Sequence, residues 1–150
     1  MLTVERRNRT VIDGSGLILG RMASIVAKRL LQGETIDIVN SEAIVVSGRR
    51  DKIIEDAKEF LNVKGPRWGP IHYRKPSMMV KKTIRGMLPY KSSHGREAYK
   101  RLKVHLGVPP EFINVSKETI DEAKAERLGG GYVTIKKIAE SIGWRRGGGT

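Results

Sequence analysis

Residues 10–26 read TVIDGSGLILGRMASIV and decide the fold class, because a short apolar run passes through glycines into a helical pattern. Residues 10–12 are mostly β-branched and predict a strand. The apolar residues that follow recur at the spacing of one helix face: Ile18, Met22, Ile25 and Val26. Gly33 is the stop signal expected at the end of that helix. The stretch therefore predicts a strand joined to a helix by a tight turn.

The alternation of strands and helices continues downstream. Residues 35–39 (TIDIV) and 43–46 (AIVV) have the composition of strands buried on both faces. The short link between them excludes a parallel crossover, so they form either an irregular hairpin or one bent strand. A second helix is predicted from apolar residues at helical spacing: Ile53, Ala57, Phe60 and Leu61. This order predicts an α/β fold, a three-layer α/β/α domain with a central, mostly parallel sheet.

The glycine-rich turn supports one enzymatic alternative. Gly14, Gly16 and Gly20 follow a strand and open a helix, and Asp37 lies about 20 residues further on, as in a dinucleotide-binding fingerprint. The alternative function is thus a dinucleotide-binding oxidoreductase. The glycine spacing is one residue too long, however, and Asp37 lies inside its strand. A plain strand-to-helix turn, with Arg21 placed to meet a phosphate, is the favoured interpretation.

Charge is the strongest compositional signal in the chain. The 150 residues contain 29 Lys and Arg against 16 Asp and Glu, a formal net charge of +13. Twelve of those cations and a single anion, Glu97, lie between Lys64 and Lys103, so this block carries +11 and the rest of the chain +2. Such a block favours a polyanionic partner, either nucleic acid or an acidic membrane. The alternative is a basic protein whose lysines are merely solvated.

The basic block divides into a loop and two helices. Residues 64–76 combine glycines and prolines with Trp68, His72 and Tyr73, which predicts a surface loop that extends the α/β core. A helix that begins at Pro76 has apolar residues on one face and cations on the other. A second basic helix is expected after residues 88–95 (LPYKSSHG). Its apolar face would contain Ala98, Tyr99, Leu102 and Leu106.

The remaining chain is predicted as a helical tail, which gives one domain in three parts. These are an α/β core over about residues 8–63, the basic loop and helices over about 64–110, and the tail over about 111–150. A short helix is expected over residues 117–128. Residues 134–144 (TIKKIAESIGW) resemble the first helix of a DNA-binding helix-turn-helix. Only six residues follow Trp144, however, and these are too few to form a recognition helix. An amphipathic helix with Ile135, Ile138, Ala139 and Ile142 facing inward is the favoured interpretation.

Neither catalysis nor a metal site finds support in the sequence. Cysteine is absent, and the three histidines, His72, His94 and His105, have no metal-ligand spacing. No apolar stretch has the length of a membrane span. We therefore expect a soluble intracellular protein with no cofactor, no small-molecule substrate and no membrane partner.

The kind of nucleic acid follows from the balance of cations and aromatic residues. Aromatic residues make up 5% of the chain, whereas proteins that read single strands present several for base stacking. A broad cationic surface suits the closely spaced phosphates of a folded RNA better than a specific DNA site. The sequence therefore predicts a folded RNA as the partner.

Residues 71–110, IHYRKPSMMVKKTIRGMLPYKSSHGREAYKRLKVHLGVPP, closely resemble the signature of the universal ribosomal large-subunit protein thirteen family, archaeal and eukaryotic type. The resemblance extends upstream through VIDGSGLILGRMASIVAKRLLQGE and IVNSEAIVVSG. It implies a non-catalytic structural component of the large ribosomal subunit in the cytoplasm. Such a protein binds and stabilises folded large-subunit ribosomal RNA during assembly, beside neighbouring ribosomal proteins.

The resemblance and the charge pattern together give a set of candidate RNA-binding residues. The resemblance implies contacts in and after the RGMLP motif (residues 85–89), from Arg85, Gly86, Lys91, Gly95, Arg96, Arg101 and Lys103, with Lys81, Lys82 and Lys100 as further candidates. Arg21 is a candidate from the strand-to-helix turn, Trp68 is one for base stacking, and the others come from their place in the basic block. The set comprises Arg21, Arg67, Trp68, Arg74, Lys75, Lys81, Lys82, Arg85, Gly86, Lys91, His94, Gly95, Arg96, Lys100, Arg101 and Lys103.

Overall fold

The computed structural model describes residues 9–61, 74–127 and 130–145. The strands in this part of the chain are β1 (Arg9–Asp13), β2 (Thr35–Val39), β3 (Val45–Ser47), β4 (Leu102–Val104) and β5 (Tyr132–Thr134). The helices are α1 (Leu19–Leu31), α2 (Arg50–Leu61), α3 (Pro76–Gly86), α4 (Ser93–Lys100) and α5 (Ile135–Ser141). None of these described helices is both long enough and apolar enough to cross a lipid bilayer.

The main sheet is parallel and has the order β1-β2-β4. Thr10 lies opposite Ile36, and Ile36 lies in turn opposite Leu102, so β2 occupies the centre. Ile36, Asp37, Ile38 and Val39 are all buried, as the composition of TIDIV predicts for a central strand. The predicted α/β fold with a mostly parallel sheet is confirmed.

One face of the main sheet is covered by α1, α3 and α4. Because buried residues recur every three or four positions along α1, one continuous face of that helix packs against the sheet. Side chains from α3 and α4, including Val80, Ile84 and Ala98, complete this core. The strands contribute Ile12, Ile36, Ile38 and Leu102.

The opposite face of the sheet holds a smaller apolar cluster and a buried carboxylate. Val11 and Val39 pack against Phe112, which lies in the 3₁₀ turn Pro110–Phe112. The Asp37 carboxylate is fully buried between two partners. Arg9 Nε donates to its Oδ2 at 2.8 Å, and His105 Nε2 lies 3.0 Å from its Oδ1. These contacts join the segment after β4 to β1 and β2.

Residues 35–39 and 43–46 form neither a hairpin nor one bent strand, so both predicted arrangements are wrong. Asn40 adopts a left-handed conformation with φ 55°, and the 3₁₀ turn Ser41–Ala43 follows it. Asparagine tolerates this conformation better than most residues. The chain consequently leaves the main sheet, and β3 pairs antiparallel with β5 in a second, two-stranded sheet.

Two predicted helices differ in the structure. The second basic helix ends at Lys100 rather than continuing to Leu106, because Leu102–Val104 pairs with β2 as a strand. The helix expected over residues 117–128 is not found in its described part, residues 117–127, which contains two 3₁₀ turns, Asp121–Ala123 and Ala125–Arg127. The amphipathic helix near the C-terminus is confirmed as α5. Its apolar residues Ile135, Ile138 and Ala139 are buried, as is Ile142 immediately after it.

Candidate nucleic-acid interface

The glycine-rich turn between β1 and α1 is closed by the protein's own hydrogen bonds. The amides of Gly14, Gly16 and Ile18 donate to backbone carbonyls of Val39, Ala43 and Ala123 at 2.7–3.1 Å. The amides of Ser15 and Leu17 are also bonded within the turn. The five consecutive amides from Gly14 to Ile18 are thus occupied and are not free to bind a pyrophosphate.

Steric contacts explain the first glycine of this turn without a nucleotide. A Cβ at Gly14 would lie 2.7 Å from Ile44 Cγ1 and 3.1 Å from the Val39 carbonyl oxygen. Asp37, the acidic residue of the apparent fingerprint, is fully buried and held by Arg9 and His105. It is therefore not exposed to accept hydrogen bonds from a ribose. Both observations count against the dinucleotide alternative.

The basic helices are joined by a turn with a defined shape. Pro76 occupies the first turn of α3, where its missing amide costs no hydrogen bond. Pro89 follows the end of α3, and its carbonyl accepts hydrogen bonds from the amide and the hydroxyl of Ser92. Ser92 caps α4 by accepting from the Gly95 amide at 3.2 Å. A Cβ at Gly95 would overlap the Pro89 carbonyl group, so the close approach of α4 to the turn requires glycine.

Aromatic rings connect the cations of α3 to the turn and to α4. The Arg85 guanidinium carbon lies 4.1 Å from the centroid of the Tyr90 ring. Tyr90 packs edge-on against Tyr99 at 5.5 Å between centroids, and Lys81 Nζ lies 5.0 Å from the Tyr99 centroid. The structure thus brings Lys81 and Arg85 into one connected cluster, which we call the Arg85–Tyr90–Tyr99 ladder.

Exposed cations surround this ladder. Lys91, His94, Arg96 and Lys100 are exposed on the turn and on α4. The Arg96 guanidinium donates to the Lys91 carbonyl at 3.1 Å, which ties α4 to the turn. In the described ranges, the ion pairs involve Arg9, Arg29 and Lys124, and neither these pairs nor the His105–Asp37 contact includes Lys91, Arg96 or Lys100. The protein's own carboxylates therefore leave these three charges available.

Most of the other predicted RNA-binding residues lie on α1, on β4, along α3 and in the segment before α3. Arg74 and Lys75 are exposed just before α3, and Lys82 lies on α3 with Nζ 5.0 Å from the Phe60 ring centroid. Gly86 is exposed at the end of α3. Arg21 is exposed in the first turn of α1, and Lys103 is exposed on β4. Arg67 and Trp68 lie outside the described residues.

Arg101 differs from the other cations because it is bound within the protein. It is half-buried, and its Nη2 donates to the Leu30 carbonyl near the end of α1. Its Nε is buried and has no hydrogen-bond partner among the described residues. This contact joins the end of α4 to the end of α1, which is a structural role that charge counting does not distinguish from RNA contact.

Sequence reasoning did not place Tyr90 in this cluster. Tyr90 is half-buried, and the reversal of the chain at Pro89 returns it to the last turn of α3. The available signal was the helix break after Gly86. Because the chain reverses there, Tyr90, five residues after Arg85, lies beside that arginine rather than away from it. The pattern of cations alone does not reveal this pairing.

The carboxylates with shifted pKa values belong to structural contacts elsewhere. The hydrogen bond from Arg29 lowers the pKa of Glu34 against the opposing effect of burial, and the same pairing raises the pKa of Arg29. Burial raises the pKa of Asp13, but hydrogen bonds from Ser15 and Asn40 outweigh it and the net pKa is lowered. In the part of the chain that the structure describes, no group of three His, Cys, Asp or Glu residues could hold a metal ion.

Comparison with known proteins identifies close relatives over most of the chain. The family model described as "Ribosomal protein L13" matches residues 7–111. A large ribosomal subunit protein uL13 of Methanopyrus kandleri is 39% identical over 97% of this chain and 94% of its own length. The proteins of the same name from Archaeoglobus fulgidus and Methanocaldococcus jannaschii are 44% and 45% identical. Those matches cover 91% and 89% of this chain, and 88% and 97% of the respective relatives.

Proposed function

The chain belongs to the ribosomal protein L13 family, and from this premise we propose that it is a non-catalytic structural constituent of the large ribosomal subunit. In this role it binds folded large-subunit ribosomal RNA and stabilises it during assembly. The observation that carries the proposal is the group of exposed cations on the turn and α4, with which no carboxylate among the described residues forms an ion pair.

The chemistry of this surface favours phosphate contact. Lysine and arginine that approach the RNA backbone release condensed counterions, which supplies most of the sequence-independent affinity. Helices α3 and α4 hold these cations on a packed core, since Val80, Ile84 and Ala98 are fully buried beneath them. A rigid cationic surface of this kind suits an RNA whose fold brings several backbones together.

The RNA-contacting residues that we propose fall into two groups. The central group surrounds the turn: Lys81, Lys82, Arg85, Gly86, Lys91, His94, Gly95, Arg96 and Lys100. Gly95 serves by allowing the close approach of α4 to Pro89, and the others by charge or exposed surface. Further contacts are proposed at the periphery for Arg21, Arg74, Lys75 and Lys103. They are also proposed for Arg67 and Trp68, which lie outside the described residues.

The proposed partners are large-subunit ribosomal RNA and neighbouring ribosomal proteins, and the proposed location is the ribosome in the cytoplasm. We further propose that the three parts of the chain act as one domain. Two shared sheets support this, because β4 of the basic part completes the main sheet and β5 of the tail pairs with β3. No cofactor or small-molecule substrate enters the proposed role.

Sedimentation tests the proposal directly. Affinity-tagged full-length protein is expressed in cells, and the lysate is separated on a sucrose gradient. We expect the protein to travel with large ribosomal subunits, and we expect the triple variant Lys91→Ala, Arg96→Ala, Lys100→Ala to shift toward the top of the gradient, because three phosphate contacts are lost.

The matched control removes three cations from other elements: Lys52→Ala, Lys58→Ala and Lys136→Ala. The control changes the net charge by the same amount as the test variant. All three side chains are exposed, so we expect the fold to be retained. The control is expected to travel with the large subunits as the unaltered protein does. Absence of the unaltered protein from the subunit fractions would refute the proposed function.

A further inference from the structure

A groove runs between the last turn of α3 and the turn that follows it. Its volume is about 830 Å³, within the range of about 300–1,000 Å³ typical of small-molecule sites. Its described lining combines cations with apolar and aromatic surface: Lys82, Arg85, Gly86, Leu88, Pro89, Tyr90, Lys91 and Ser92. The lining includes three cations, and no carboxylate is found among these described residues.

Arg85 is the residue that gives the groove a flat surface. Its guanidinium carbon lies 4.1 Å from the centroid of the Tyr90 ring, well within the distance of about 6 Å at which a cation interacts with an aromatic face. A guanidinium is planar, so it can bind one ring on each of its two faces. Tyr90 occupies one face, and the groove borders the same side chain.

Contacts within the protein support the orientation of Arg85 against Tyr90. Tyr90 is packed edge-on against Tyr99 of α4, with ring planes at 86°. Gly95 allows α4 to approach the Pro89 carbonyl, and its amide donates to the Ser92 hydroxyl. Tyr99 of α4 therefore lies beside the turn. A side chain that is already ordered loses less conformational entropy when it binds, and therefore gives more net affinity.

The remaining charges specify what kind of ligand fits. Lys82 and Lys91 also border the groove, so a ligand that stacks on Arg85 also lies near two ammonium groups. A planar ring joined to a negative charge satisfies both features, and a nucleotide has this combination. Bases inside a duplex are already stacked on their neighbours, so only an unpaired nucleotide can enter.

We propose that this groove binds one unpaired nucleotide of RNA, with its base stacked on Arg85 and its phosphate beside Lys82 and Lys91. The inference rests on the proposed RNA binding and adds to it a site that recognises a base rather than the backbone alone. It predicts that the protein prefers RNA with a bulged nucleotide over a continuous duplex.

Two RNA hairpins with the same stem test this inference. One contains a single bulged 4-thiouridine, and in the other the 4-thiouridine is paired with adenine. We expect the full-length protein to bind the bulged hairpin about tenfold more tightly by fluorescence anisotropy, since stacking of one base contributes roughly that factor or more. Near-ultraviolet irradiation should crosslink the bulged base to the tryptic peptide spanning residues 86–91.

The decisive variant is Arg85→Lys, which keeps the positive charge and removes the planar group. It is expected to bind the paired hairpin within about twofold of the unaltered protein and to lose the preference for the bulged one. The matched control is Arg49→Lys, an exposed arginine outside both the groove lining and the proposed RNA contacts, which should retain the preference. Thermal melting of all three proteins checks that the fold is intact.

The failure of this inference differs from the failure of the proposed function. Equal affinity of the unaltered protein for both hairpins, or an equal loss on both in Arg85→Lys, would overturn the nucleotide site and leave RNA binding in place. No binding to either hairpin or to purified large-subunit ribosomal RNA would refute the proposed RNA binding itself.

Discussion

Gly95 shows how one residue sets the geometry of the cationic surface. The first turn of α4 passes so close to the Pro89 carbonyl that a Cβ at this position would overlap it. Gly86, nine residues earlier, has no heavy atom within 4 Å of the equivalent point. Both glycines lie in the family signature, residues 71–110, but only at Gly95 does packing require a glycine.

We expect Gly95→Ala to lower the free energy of unfolding by about 1–3 kcal/mol, because the backbone of the turn must move away from α4. Urea denaturation measures the change. Gly86→Ala is the control and should alter stability by no more than about 1 kcal/mol, in the stabilising direction, because alanine is the better helix former. Equal effects of both substitutions would contradict this assignment.

Glu34 makes the free energy of unfolding depend on pH in the acidic range. Hydrogen bonding to Arg29 holds its folded-state pKa below the ordinary value of 4.5. A carboxyl with a lowered pKa stabilises the folded state above its unfolded pKa, and that contribution is lost as the pH falls through the folded value. The Arg29–Glu34 pair is partly exposed, so its contribution is about 1 kcal/mol or less.

The substitution Glu34→Gln tests this dependence. The variant should be less stable than the unaltered protein at about pH 7, and the difference should shrink steadily below pH 4.5. Thermal melting at several pH values between about 3 and 7 measures it. A stability difference that stays constant across this range would show that the carboxylate charge is not the cause.

Among the elements, α4 and β4 show the limit of periodicity. Residues 96–106 have apolar residues at helical spacing, yet the helix ends at Lys100 and Leu102–Val104 becomes a strand. The free edge of β2 decides this, because Ile36, Asp37 and Ile38 provide a row of parallel partners for that segment. A hydrogen-bonding partner distant in sequence thus overrides a local pattern.

Arg101 joins these elements to α1, so its removal should act on stability more than on RNA affinity. Arg101→Ala deletes the hydrogen bond to the Leu30 carbonyl, and we expect a loss of about 1–3 kcal/mol in the free energy of unfolding. The neighbouring Lys100→Ala should cost less than about 0.5 kcal/mol, because Lys100 is exposed.

RNA binding by the same two variants separates the roles further. Lys100→Ala should reduce the salt slope of RNA binding by about one, as expected for a lost phosphate contact, and Arg101→Ala should leave the slope unchanged. Fluorescence anisotropy at several salt concentrations measures both slopes. A reduced slope in Arg101→Ala would assign that guanidinium to RNA instead.

At the scale of the whole molecule, the cationic surface predicts a steep dependence of RNA affinity on ionic strength. If about six side chains reach phosphates, the affinity should fall on the order of a thousandfold between about 50 and 200 mM salt. A filter-binding titration of the full-length protein with large-subunit ribosomal RNA measures this. A nearly flat dependence would exclude a binding mode dominated by phosphate contacts.

The sequence alone determined the features that depend on near neighbours. The β-branched, apolar composition of residues 10–12 and 35–39 predicted strands, and the spacing of apolar residues over 18–26 predicted a helix with one buried face. The charge of the basic block and the family motif also required no coordinates. The polyanionic partner was thus inferred from composition and resemblance together.

Only the tertiary structure decided which residues meet across long stretches of chain. The pairing of β3 with β5, the stack of Arg85 on Tyr90 and the burial of Asp37 between Arg9 and His105 all depend on where turns direct the backbone. The same holds for Arg101, whose charge resembles that of its neighbours until its contact with Leu30 is seen. Local periodicity carries no information about such contacts, because their energy comes from partners that packing brings together.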